Sequence, residues 1–271
     1  MKNLFTFLFA VVFLVSCSME EPASETPDPL DNQFFTEFMP CKAGPDFNSE
    51  NMTAMISEWQ KLLSAEDLQG VWGYAPDGDS NSVGDTGWWE IQWTSEDSAD
   101  QAWEEWVENE DAMAWQEKYE SVLSCDGESR NAFDSVFPIP SATYGELPDS
   151  GYFYSEVYIC ELNEGFSKED ALNFLYGFRE AVASADYSDT SYHLGNYFFH
   201  DDPSSFLWMN FTNSKEAMNK AAASFEAEVR EDMFPLFSEF ASCGEKPDLY
   251  NGFTLYWSEN KDFMPTFPSD S

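Results

Sequence analysis

Polar side chains set inside aromatic strands are the first candidates for chemistry in this sequence. Glu37 lies in Phe35-Thr36-Glu37-Phe38-Met39, and Glu156 in Tyr154-Ser155-Glu156-Val157-Tyr158. Glu90 and Gln92 interrupt the run Trp88 to Trp93, and Asn210 interrupts Phe206-Leu207-Trp208-Met209-Asn210-Phe211. A carboxyl group buried without a partner is costly, so each must be hydrated, protonated or bound to something. Carboxyls with a raised pKa could serve as general bases or acids. Aromatic walls with a few convergent polar groups are also what a small-ligand site is made of.

Other chemistry-bearing residues are few. His193 and His200, if they share a strand, stand an odd number of residues apart and point to opposite faces. Either alone could ligate a haem or act as a base; the plainer reading is a partly exposed polar side chain. The loop Asp77-Gly78-Asp79-Ser80-Asn81-Ser82-Val83-Gly84-Asp85 begins like a calcium loop. It departs from that pattern at Ser82, where the turn needs Gly, and at Trp88, where a bidentate Glu belongs. A solvated hairpin tip is therefore the expectation. No Cys-x-x-Cys spacing supports zinc, and no nucleophile elbow, Walker loop or dinucleotide fingerprint is present. We expect neither metal nor cofactor.

The chain has 271 residues, with 12 Lys+Arg against 51 Asp+Glu and a formal net charge of -39. Nucleic-acid binding rests on basic contacts to phosphate and is excluded, and docking on anionic lipid through basic residues is disfavoured. With 17% aromatic residues the chain has the means to fold, unlike a disordered acidic tail.

Residues 1–17 read MKNLFTFLFAVVFLVSC, an apolar run too short to span a bilayer comfortably. Its end, Leu14-Val15-Ser16-Cys17, resembles the lipobox of bacterial lipoproteins. The resemblance implies a signal peptide over 1–16, lipid attachment at Cys17, and a place in the bacterial cell envelope on a periplasmic or outer-membrane face. An ordinary secretory signal cut nearby is the alternative. Residues 17–33, rich in Pro, Glu, Ser and Asp, read as a flexible tether.

The remainder repeats. Cys125 follows Cys41 by 84 residues, and Cys243 follows Cys160 by 83. Phe35 to Cys41 matches Tyr154 to Cys160 at an offset of 119, and Trp88 to Thr94 matches Phe206 to Thr212 at 118. The copies span 34–137 and 152–257, with a linker at 138–151 and a tail at 258–271. In the first copy, strands are expected at 33–40, 70–75, 87–94 and 131–137. Helices are expected at 49–63, capped by Asn48 or Ser49, and from Ser95 or Ser98 to about Ser124, interrupted at 108–111. In the second copy the helices fall near 167–184 and 213–241.

This strand-helix-strand-strand-helix-strand order resembles the ferredoxin-like unit. More closely it resembles the dimeric α+β-barrel group that includes antibiotic-biosynthesis monooxygenase-like domains. The fold class implied is α+β: two tandem βαββαβ repeats with antiparallel sheets, packed as an α+β barrel within one chain. The group's strand order, 4-1-3-2, makes strands one and four antiparallel neighbours. That order implies the disulfides Cys41–Cys125 and Cys160–Cys243, each closing a loop of about 84 residues.

The alternation of strand three puts Trp89, Ile91 and Trp93 against the helices, with Leu207, Met209 and Phe211 their counterparts. Trp88, Glu90, Gln92, Trp208 and Asn210 then face the opposite sheet, where Glu37 and Glu156 are also expected. These seven residues form the candidate ligand site, a cleft between the sheets for a small aromatic or apolar ligand. The alternatives are a purely structural or interaction protein, and an enzyme like the cofactor-independent monooxygenases using Glu37, Glu156 or Glu90 as base.

Overall fold

The first half runs β1 (Gln33–Ala43), α1 (Ser49–Trp59), β2 (Leu68–Pro76), β3 (Gly87–Trp93), α2 (Glu96–Glu108), α3 (Glu110–Tyr119), β4 (Leu123–Cys125) and β5 (Asn131–Ile139). The second runs β6 (Tyr152–Leu162), α4 (Lys168–Ala183), β7 (His193–Phe199), β8 (Ser205–Thr212), α5 (Lys215–Ser224), α6 (Arg230–Phe240), β9 (Ala241–Cys243) and β10 (Asp248–Trp257). The structure is a computed structural model describing residues 30, 33–63, 66–78, 81–140 and 142–268. Cys17, the expected signal segment and nearly all of the expected tether lie outside the described residues.

Local chemistry explains the helix boundaries. Met52, Met55, Ile56 and Trp59 bury one stripe of α1, and the Asn48 side chain caps it by accepting from the Asn51 N–H. Ser95 and Ser98 cap α2 reciprocally. Asn109 ends α2 and caps α3, within the interruption expected at 108–111. The single long helix expected near 213–241 is divided: a π-helical turn at Phe225–Val229 joins α5 to α6.

In each half the strands pair in the order two-three-one-four, as β2-β3-β1-β5 and β7-β8-β6-β10. β5 then pairs with β7, and β10 with β2, so the two sheets join at both edges into a closed antiparallel barrel. Closure leaves these principal strands without an open edge. Cys41 and Cys125 are register partners across β1 and β4, and Cys160 and Cys243 across β6 and β9. Both disulfides form as the resemblance implied.

Three apolar clusters fill the molecule. One lies inside the barrel, where Phe38 packs edge-on to Phe133 and Tyr197, and Phe153 packs edge-on to Tyr74 and Phe211. Gly252, paired with Phe153, is required there because a Cβ would fall 2.0 Å from that ring. The second cluster lies between the first half's outer sheet face and α1–α3, and the third under α4–α6. Leu30, inside the segment read as a tether, is buried in the third cluster. β5 extends two residues into the expected linker. Residues 258–268 return to the first half, where Met264 and Phe267 pack and Gln60 donates to the Phe263 carbonyl. Among the described residues, no helix is long and apolar enough to cross a membrane.

Candidate functional site

Strand register divides the seven candidate residues between two faces. Directly opposed strand residues share a face. Phe38 opposes Glu90, so Glu90 points into the barrel, together with Trp88 and Gln92. Glu37 opposes Ile91, which packs under the helices, so Glu37 belongs to the helix side. In the second half Val157 opposes Met209 inside the barrel, while Glu156 opposes Asn210, and Tyr158 opposes Trp208, on the helix side. The expectation that Glu37, Glu156, Trp208 and Asn210 face the opposite sheet is therefore corrected. So is the placing of Leu207, Met209 and Phe211 against helices. Glu37 and Glu156 lie on the outward face of the first strands, whose inward positions Phe38 and Val157 take. For Trp208, Asn210 and the three apolar residues the cause is a slip of one residue, the third strands corresponding at an offset of 119, not 118. A shift of one reverses every side chain on a strand.

Inside the barrel, Glu90 is 1% exposed. It accepts from the Tyr74 hydroxyl and, at 2.9 Å, from the Tyr197 hydroxyl. Burial pushes its pKa up to about 7, and the two hydroxyl donors moderate the rise. Gln92 Nε2 and Ser155 Oγ are also buried on the inner face, without a hydrogen-bond partner among the described residues. Aromatic rings occupy the space between the sheets that was expected to be the cleft.

The roomy spaces lie elsewhere, one beneath each set of helices. In the first half a cavity of about 830 Å³ is walled by aromatic side chains including Trp59, Trp89, Trp103, Trp106 and Trp115. Its polar corner is closed. Glu37 accepts from Trp93 Nε1 at 3.0 Å, Trp103 Nε1 at 2.7 Å and Arg130 Nε at 2.5 Å. The Arg130 guanidinium lies 4.7 Å from the Trp103 ring centre.

In the second half a cavity of about 690 Å³ lies between the outer sheet face and α4–α6. Its walls include Phe174, Phe178, Tyr192, Trp208 and Phe225, and Glu156 and Asn210 line its floor. Phe225 is presented by the π-helical turn, a distortion often found at functional positions. Asn210 Oδ1 accepts from Tyr192 Oη at 3.0 Å and from Trp208 Nε1 at 3.1 Å, which fixes both rings. Glu156 has no hydrogen bond or ion pair among the described residues, and desolvation raises its pKa. Three of the seven candidates (Glu156, Trp208 and Asn210) thus meet in one cavity, with the strand face opposite to that expected.

Of the three proposed bases, only Glu156 borders open space. Neither histidine lines either cavity. His193 stacks on Phe211 and burial lowers its pKa to about 4, whereas Asp134 beside His200 raises that group's pKa. Neither imidazole is placed to ligate a haem in these cavities. The acidic loop is tied down at the barrel seam. Asp77 accepts from Lys215 and Tyr154, Asn81 exchanges hydrogen bonds with the Leu249 backbone, and Ser82 donates to Asp248. Residues 79 and 80 lie outside the described residues. Among the described residues no cluster could hold a metal ion.

Arg130, Trp103, Tyr74 and Tyr197 were not identified from sequence. Arg130 had a usable signal: a scarce cation, two residues before Ala132, which opposes Glu37. Tyr74 is a diagonal neighbour of Glu90 across the adjacent strands β2 and β3, whereas Tyr197 reaches Glu90 only because the barrel closes through β5 and β7, which no local pattern records.

No protein-family model and no curated protein matches the sequence. Solved structures do resemble the fold. A candidate monooxygenase from Fusobacterium nucleatum subsp. nucleatum aligns over 82% of this chain and 92% of its own, with a TM-score of 0.52 and 8% identity. A candidate monooxygenase from Lactobacillus acidophilus covers 83% and 94%, at 0.49 and 9% identity. Chlorite dismutase from Candidatus Nitrospira defluvii covers 88% and 95%, at 0.48 and 13% identity. At these identities the likeness concerns architecture: the chain has the α+β-barrel fold.

Proposed function

We propose that this chain is a lipid-anchored protein of the bacterial cell envelope that holds a small, largely apolar or aromatic ligand beneath α4–α6. The observation that carries the binding reading is Glu156, a carboxyl group facing an aromatic cavity with nothing in the described chain to satisfy it. A purely structural unit gains nothing from keeping such a group beside an open space, whereas a ligand can complete it. The anchor reading rests on Leu14-Val15-Ser16-Cys17. Several acyl chains on Cys17 would hold the protein at a membrane that its acidic surface would otherwise avoid.

The neutral aromatic dye N-phenyl-1-naphthylamine tests the cavity. Its fluorescence should rise saturably with the wild-type protein, and its affinity should fall about tenfold or more in Ala222→Trp, whose new ring blocks an exposed position on the lining. Equal affinity in both proteins would refute binding at this cavity. Incorporation of labelled fatty acid, lost in Cys17→Ala, tests the anchor; an unlabelled wild-type protein would refute it.

A further inference from the structure

Glu37 and Glu156 occupy the same rung of their halves. Glu37 stands between Ile91 and Ala132, Glu156 between Asn210 and Leu249. In the first half the chain supplies its own organic cation, because Arg130 is hydrogen-bonded to Glu37 and lies against Trp103. In the second half the corresponding position holds Pro247: Asn131 opposes Phe38 as Asp248 opposes Val157, so Arg130 and Pro247 are the residues just before. Proline brings no charge, and Glu156 is left unpaired among the described residues.

The rest of such a box is kept. Tyr158, Phe178, Tyr192 and Trp208 border the same cavity as Glu156. The one basic residue among the described lining, Arg230, pairs with Glu226 at 2.6 Å and lies over Phe234 at 4.6 Å. Glu226 and Glu245 complete the charged lining, so the cavity carries net negative charge. A neutral ligand that filled it would expel water from around Glu156 and leave the charge uncompensated. An anion would meet like charge from the lining and from the whole chain. Aromatic faces with a carboxylate are the surroundings in which amines and quaternary ammonium groups are held.

We infer that the ligand of the second-half cavity is an organic cation, an amine or quaternary ammonium group on an apolar body, with Glu156 as its counter-charge. This rests on the reading of that cavity as a ligand site.

Calorimetric titration with phenyltrimethylammonium and with its neutral isostere, tert-butylbenzene, separates the two claims. At physiological ionic strength the cation should bind about tenfold more tightly than the isostere. Glu156→Gln should abolish that preference, weakening phenyltrimethylammonium while tert-butylbenzene binds at least as tightly as to wild type. Ala222→Trp, which leaves Glu156 in place, should weaken both. Equal affinities for the two compounds in wild type, or a preference that survives Glu156→Gln, would overturn the cation assignment. Cation binding indifferent to Ala222→Trp would also overturn it, because the surface acids would then be the site. Binding of tert-butylbenzene that is sensitive to Ala222→Trp, without a cation preference, refutes the cation and leaves the ligand cavity standing. Binding of neither compound refutes both.

Discussion

The two halves share strand order, bridges and barrel register, yet they treat the same rung differently, buried in the first and half-buried in the second. Glu37, 4% exposed, is enclosed by two indole N–H groups and a guanidinium. Glu156 borders open space with no donor from the described chain. The barrel interior repeats the contrast one residue along: Glu90 opposes Phe38 in the first half, and Met209 opposes Val157 in the second. The comparison teaches that burial of a carboxylate does not by itself mark a site. A carboxylate whose lone pairs are all matched fastens the fold, and one left unmatched beside a cavity is the place where a ligand can add binding energy.

The largest expected effect concerns the interior rung, where the first half has a titratable group and the second has methionine. Glu90 titrates near 7 in the folded barrel, against an ordinary carboxylate value of about 4.5 in the unfolded chain. The folded state therefore keeps its proton where the unfolded state has lost it, and stability falls as pH rises through that interval. The contribution is complete below about pH 4.5 and gone above about 7. The interval corresponds to roughly 3 kcal/mol. Glu90→Gln should flatten the pH dependence of urea unfolding by about that amount relative to wild type. The comparison with wild type is essential, because relief of general acidic repulsion also favours the folded state at low pH. Parallel pH profiles for the two proteins would show that Glu90 is not the titrating group.

A smaller effect is expected at the closed polar corner of the first half. Arg130→Met removes the cation from Glu37 and leaves it two indole donors, which should cost about 2 kcal/mol. Combining it with Glu37→Gln should return part of the loss, because the stranded charge goes with it. A double-mutant cycle on unfolding midpoints measures that coupling. Additive losses would mean that Arg130 matters only through its packing on Trp103.

Much of this architecture was legible in sequence because it is written in local patterns. The stripe of α1, the Ser95 cap and the Asn109 break all follow from side chains within a turn or two of where they act. The strand order that the fold resemblance implied also led to the correct bridges. The faces were harder. Trp88, Glu90 and Gln92 were placed inside correctly because their own alternation is unambiguous. Phe206 to Phe211 is apolar at nearly every position, so alternation cannot say which side is in, and the copy-to-copy offset decided it wrongly. A consistency test was available: Glu37 and Ile91 oppose one another and cannot point to different layers. Barrel closure was foreseen as packing between sheets. That closure would fill the lumen and leave the cavities under the helices depends on side-chain volumes across strands distant in sequence, where no short-range pattern reports.

The smallest effect is the most discriminating. If Glu156 has no structural partner, Glu156→Gln should change stability by no more than about 1 kcal/mol, and in a direction set by pH. Desolvation holds its folded pKa above the ordinary value, so the protonated form fits its half-buried site better than the ionised one. Its stabilising contribution is present below the ordinary carboxylate range and is lost as pH rises through the folded value. The variant should match wild type under acid conditions and become the more stable of the two at pH 8. Thermal unfolding at the two pH values reads this sign directly. A variant clearly less stable at pH 8 would mean that the carboxylate is already matched within the folded chain, as Glu37 is. The contrast between the halves would then be lost, and a cation supplied from outside would have no charge left to meet.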